Sequence, residues 1–199
     1  AVVRSVVHYV LRLLVREPLP LNEGLLRTVE VRVPRGMLDP EWPDDPAQAP
    51  AVVGGNTEVS LRLTDTLLKA LGLAACSQGT MNNVLWGTDR FGYYETVCGG
   101  SGAGPEWDGA GPVHTHMTNT RITDPEVVEH RYPVRIERFA VRRGSGGAAS
   151  HCGGDGAIRE TVFLESMSLS LLAQHRAEGP YGVGGGAPGA PRPPHIVPP

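Results

Sequence analysis

His114 and His116 stand two residues apart in the run HTHMTNTR, with Asn119 and Arg121 directly behind them. On a strand, this spacing puts both imidazoles on one side of a sheet. Two same-facing neutral imidazoles and a carboxylate hold a divalent transition metal; Asp124, Glu126, Asp108 and Glu95 are the carboxylates within reach of the run. The alternative is that one ring hydrogen-bonds backbone while the other packs. Arg121 carries the planar fork that clamps a carboxylate or phosphoryl group, or else it forms an exposed ion pair with Asp124 or Glu126. Further back, the paired amides of Asn82 and Asn83 suit substrate positioning or an oxyanion, although Asn is equally a turn residue. Polar groups this dense cost a few kcal/mol each when buried without partners. Residues 91–133 are therefore read as the site-forming stretch.

The glycine-rich run of residues 99–104, GGSGAG, has the composition of a phosphate cradle. It lacks the P-loop lysine and Ser/Thr pair and has no GxGxxG opening onto a helix, which argues against nucleotide binding there. A flexible lid or a close approach of backbone to substrate fits better. Cys98 beside it reads as a small buried residue at a strand end rather than a nucleophile.

Several elements must position these groups. Residues 2–15 repeat apolar side chains every three and four positions and predict an amphipathic helix, stopped by Pro18 and Pro20. The alternation TVEVRVP over residues 28–34 predicts a half-buried strand, followed by a proline-rich surface loop to residue 50. A second helix is expected over residues 58–73, with Val59, Leu63, Leu67, Ala70 and Leu71 inward and Asn56 or Thr57 as cap. Strands are predicted at residues 84–86, 91–97, 134–141, 157–164 and 168–173. Asp124-Pro125-Glu126 opens a short helix, with Asp124 more suited to capping than to ligation. Helices and strands in separate runs predict an α+β, loop-rich domain with mostly antiparallel strands and two or three helices.

Composition limits the function classes. The net charge of -3 and pI near 6.2 argue against nucleic-acid or anionic-membrane partners. Three scattered cysteines without a CxxC pair suit a reducing cytoplasm. No apolar run reaches membrane-spanning length. The first residue is Ala, and the chain opens in mid-pattern. The expectation is one incomplete domain over residues 1–189, part of a longer polypeptide, with a Pro-rich disordered tail at residues 190–199.

The runs GGNTEVS (54–60), SQGTMNN (77–83), FGYYETVCGGSGAGP (91–105), HTHMTNTRITDPEVVEHRYPV (114–134) and GGDGAIRE (153–160) together resemble the hydantoinase B/5-oxoprolinase family. The HTHMTNTRITDPE block resembles in particular the ATP-dependent 5-oxoprolinases. The resemblance implies a cyclic-amide substrate and an ATP-using hydantoinase A half that binds ATP with Mg and phosphorylates the lactam oxygen. It implies a homo-oligomeric full protein and a divalent metal in some relatives, held by motifs that precede Ala1. It makes His114 and His116 the acid–base or outer metal candidates, and Asn82, Asn83, Asn119 and Arg121 the substrate-positioning ones. It departs from the family pattern at Ser60-Leu61-Arg62, where relatives usually carry Ser-Gln-Arg, and beyond Pro188. An N-methylhydantoinase or ketone carboxylase subunit is the alternative enzyme. A non-catalytic fragment that binds a partner subunit is the alternative from another class.

Overall fold

The computed structural model describes residues 1–20, 22–50, 52–191 and 195–197, so part of the tail predicted at 190–199 lies outside the described residues. Helix α1 (Val2–Leu14) buries Val6 and Val10, one turn apart, against Leu68 and Ala74, with Tyr9, Leu63 and Leu67 packed around them. Its partner is helix α2 (Leu61–Ala70), which continues a π-helical turn at Gly55–Ser60 and so starts well before residue 58. At Gly55 the helix passes close to α1, where a Cβ would lie 3.0 Å from Val2 Cγ2. Asn56 and Thr57 lie inside the helix and do not cap it. Thr57, Ser60 and Thr64 return their hydroxyls to the carbonyls of Val53, Asn56 and Ser60, four residues back.

The inward face of α2 also differs from the apolar reading. Leu61, Thr64, Asp65 and Leu68 are buried, whereas Leu71 is exposed. The helix lies between two surfaces: α1 takes an apolar side and a polar segment takes another. A hydrophobic count sees only the first.

Strands β1 (Asn83–Gly87), β2 (Gly92–Thr96) and β5 (Ser168–Leu172) form an antiparallel sheet in the order β2-β1-β5. Strands β3 (Val134–Arg142) and β4 (Gly156–Phe163) form a second antiparallel pair, with a register shift between Ile136 and Arg138. The fold is α+β, as expected. Trp86 fills the space between the sheets. Tyr93 stacks on it at 4.4 Å and Tyr132 meets it edge-on at 5.2 Å, with Val128 of helix α3 (Pro125–Arg131) and Val134 buried beside them. Asp124 caps α3 by accepting from Glu126 N at 3.0 Å.

Residues 28–34 do not form a strand. Their burial alternates as the sequence foretold, yet no ladder partner reaches them among the described residues. An alternating pattern reports a half-buried extended chain; only a neighbour makes it a strand.

The glycine-rich runs form a layer of extended segments that touch backbone to backbone. Ala75 N donates to Ala103 O, Gln78 N to Gly100 O, Ser101 N to Ala110 O and Gly154 N to Ser101 O. A Cβ at Gly102 would lie 1.9 Å from Ala75 O, and one at Gly100 would lie 2.0 Å from Gly154 O. Residues 99–104 are therefore a packed wall and not a lid: these glycines remove side chains where main chains must meet.

Candidate functional site

Residues 76–83, CSQGTMNN, are polar in sequence and buried throughout. Such burial is tolerable only when donors and acceptors are matched. The π-helical turn and α2 after it supply partners from Glu58 and Asp65, while Arg62, on the same face, holds His175. Asp65 is 1% exposed and accepts from Ser77 N (3.1 Å), Ser77 Oγ (3.0 Å) and the Cys76 thiol (3.4 Å). Thr80 Oγ1 donates to Glu58 Oε1 at 2.5 Å. Arg62 Nη1 donates to His175 Nε2 at 2.9 Å, which makes that nitrogen the acceptor and leaves Nδ1–H to donate to Glu178 O at 3.0 Å. The His175 ring is thus neutral. Burial, then the nearby Arg62 charge, hold its pKa below the ordinary imidazole value. Burial first, and Asp65 second, push the Cys76 thiol up to about 12, so it stays protonated and is no nucleophile.

The other side of this segment faces a cavity of about 530 Å³. Its walls are Cys76, Ser77, Gln78 and Asn82, the glycine wall at 99–104, the 145–157 connection and the 180–190 segment, with His175 at one side. Gln78 Nε2 donates to Thr80 O at 2.8 Å, which fixes the amide; its buried Oε1 has no partner among the described residues.

Of the residues chosen from sequence, Asn82 lines this cavity, while its Nδ2 donates to Val97 O at 3.3 Å. Asn83 is locked into β1 and accepts from Thr96 Oγ1 at 3.2 Å. His114, His116, Asn119 and Arg121 are not among the residues that line it. Asn119 and Arg121 are exposed. The HTH run is not a strand: His116 has a left-handed φ of 52°, which turns the two rings apart from the arrangement that i, i+2 spacing gives on a sheet. His116 Nε2 meets Asp65 Oδ1 at 2.8 Å, and Tyr9 lies edge-on to its ring. The buried His114 Nδ1 has no partner among the described residues, and burial lowers its pKa.

Among the described residues no three His, Cys, Asp or Glu side chains gather into a ligand set. The four carboxylates considered are committed elsewhere or distant in role. Glu95 forms a buried bidentate pair with Arg159 (Nε–Oε1 2.8 Å), Asp108 accepts from Cys152 N, Asp124 caps α3, and Glu126 is exposed.

Sequence reasoning missed Arg62, Asp65, Ser77, Gln78 and His175. The available signal was the charged i, i+4, i+7 stripe on α2, a stripe that ordinarily marks a solvated face. Asp65 now joins the two regions: one oxygen reaches His116, and the other holds Ser77 in the cavity wall.

Residues 1–195 match the model of the family described as Hydantoinase B/oxoprolinase. The chain belongs to this family. It is 49% identical over 189 residues to 5-oxoprolinase 1 of Arabidopsis thaliana, covering 95% of this chain and 14% of that protein. It is 48% identical to the 5-oxoprolinase of Dictyostelium discoideum, covering 89% of this chain and 14% of that one. The crystal structure of the ATP-dependent caprolactamase from Pseudomonas jessenii superposes with a TM-score of 0.69 at 28% identity, covering 89% of this chain and 33% of the other. The chain therefore spans only a small part of these relatives' length. No helix among the described residues is long and apolar enough to cross a membrane.

Proposed function

We propose that this chain is the part of an ATP-dependent 5-oxoprolinase that holds the cyclic amide, 5-oxo-L-proline, on its way to L-glutamate. The observation that carries the reading is a cavity walled by a buried polar segment in a chain of this family. An amide is a poor electrophile, and phosphorylation of its carbonyl oxygen by ATP makes the carbon open to water. Water then adds, the ring C–N bond breaks with a proton passing to nitrogen, and a second water releases phosphate from the acyl phosphate left behind. ATP and its Mg belong to a hydantoinase A-like half, because the glycine wall here is closed by backbone contacts and carries no phosphate-binding lysine.

The chain's own residues bind and orient. Ser77, Gln78 and Asn82 present fixed polar groups to the ring. No carboxylate lines the cavity among the described residues, and His175 spends both nitrogens on Arg62 and Glu178. His116 stands outside the cavity lining and shares Asp65 with Ser77, so in this reading it relays a proton only through that shared carboxylate. Asn119 and Arg121, exposed here, would act on substrate only through a surface completed by the rest of the enzyme. The working enzyme is a cytoplasmic homo-oligomer of A and B halves.

The test is ATP-dependent glutamate release from 5-oxoproline. The complete enzyme turns over, and this chain alone does not; turnover by the isolated chain would overturn the division of labour. A second reading, in which the ring is a larger uncharged lactam, is favoured by the likeness to the caprolactamase. Competition between the two lactams in one assay separates them.

A further inference from the structure

The cavity has an uneven charge distribution. Among the described residues that line it, Arg142 is the one lysine, arginine, aspartate or glutamate. Arg143, beside it, lines a separate hollow with Arg138, and two other nearby cations are engaged. Arg62 donates to His175, and Lys69 lies over the Tyr181 ring at 4.3 Å. Asp155, the nearest acid in sequence to the 145–157 wall, spends its carboxylate on Ser145 N and Gly146 N and is not among the lining residues.

Arg142 ends strand β3 and is half-buried. Two of its N–H groups go to main-chain carbonyls, Ala190 O at 3.4 Å and Pro191 O at 3.0 Å. No carboxylate pairs with it among the described residues. A guanidinium has five N–H donors, so its remaining donors have no partner among the described residues and no carboxylate there neutralises its charge. A partly desolvated charge of this kind is stabilised by an anion with fork-matching oxygens.

We infer that Arg142 is a specificity-determining residue that receives the carboxylate of the cyclic-amide substrate, so that the cavity prefers a carboxylated lactam to an uncharged one. The inference rests on the reading of the cavity as the lactam site. It is geometrically economical: the carboxylate of a five-membered lactam sits across the ring nitrogen from the carbonyl, so gripping it leaves the carbonyl free. Two main-chain tethers hold the guanidinium in place, which limits the side-chain freedom lost on binding.

The experiment compares 5-oxoproline with 2-pyrrolidinone, the same ring without the carboxylate, in the complete enzyme that carries this chain. For Arg142→Gln, the ratio of kcat/KM values for the two rings is expected to fall roughly tenfold to a hundredfold, mostly through KM for 5-oxoproline. Arg142→Lys keeps the charge without the fork and is expected to restore part of the ratio. A merely structural role in tethering residues 190–191, or a grip on the transferred phosphoryl group, would lower both rings alike; an unchanged ratio therefore overturns the inference while leaving the lactam reading intact. If the wild-type enzyme opens neither ring, that reading fails and the inference goes with it.

Discussion

Residues 76–83 and residues 114–121 are built from the same kinds of side chain, yet the molecule treats them in opposite ways. Every residue of the first run is buried, whereas Asn119, Thr120 and Arg121 of the second are exposed. The difference lies in what faces them. The first run lies along the π-helical turn and α2, where Glu58 accepts from Thr80 and Asp65 accepts from Cys76 and Ser77. Among the described residues the second run hydrogen-bonds to that helix at His116, and Met117 packs against the apolar cluster that holds Leu68. A polar segment becomes an interior wall when a neighbouring element matches it group for group, and stays at the surface otherwise.

Breaking the match should cost most at Asp65. Asp65→Ala strands the Ser77 amide and hydroxyl and the His116 ring, and is expected to destabilise by about 3–5 kcal/mol, read from urea denaturation. A loss below about 1 kcal/mol would mean that the buried run does not depend on the helix. Next comes the glycine wall that closes the cavity's far side. Gly102→Ala must move the backbone at Ala75 and is expected to cost about 1–3 kcal/mol. Gly54→Ala, with nothing within 4 Å and a helical φ of -60°, is expected to stabilise by up to about 1 kcal/mol. Opposite signs for two Gly→Ala changes would confirm that the wall's glycines are there for contact and not for mobility.

The pH response sharpens the comparison further. His175 has a folded pKa below its ordinary value of 6.5, so the unfolded chain takes up the proton first. Its contribution is fully present above pH 6.5 and is lost as pH falls below that value toward the folded pKa. The midpoint of unfolding should therefore drop between pH 7 and 5.5, and His175→Asn should flatten that drop. A steeper drop in the variant would show that the ring is charged in the fold. Smallest of all, Asn119→Ala and Arg121→Ala are expected to change stability by less than about 0.5 kcal/mol, because both side chains are exposed. A large loss would mean that the second run is as integrated as the first.

Much of the scaffold was legible because it depends on local periodicity. Helix α1, the cap at Asp124 and the five strands follow from spacing and turn chemistry. What escaped depends on partners distant in sequence. Val29, Val31 and Val33 alternate but find no ladder neighbour, so residues 28–34 remain extended chain. The apolar phase of α2 hid Asp65, because a helix with two buried faces shows only one to a hydrophobicity pattern. His116 left the sheet geometry through a left-handed turn that a histidine adopts only when the tertiary structure holds it there. The glycine runs were visible as glycine, but whether they free the chain or let main chains touch is decided by what lies opposite.

The central claim is that the lactam sits against the wall made by residues 76–83 and not on the exposed residues 119–121. The structure of the complete enzyme with 5-oxoproline bound tests it most directly. The account predicts the ring in the cavity, with polar atoms within hydrogen-bond distance of Ser77, Gln78 or Asn82. A ring seated on Asn119 and Arg121, with the cavity left to solvent, would contradict it.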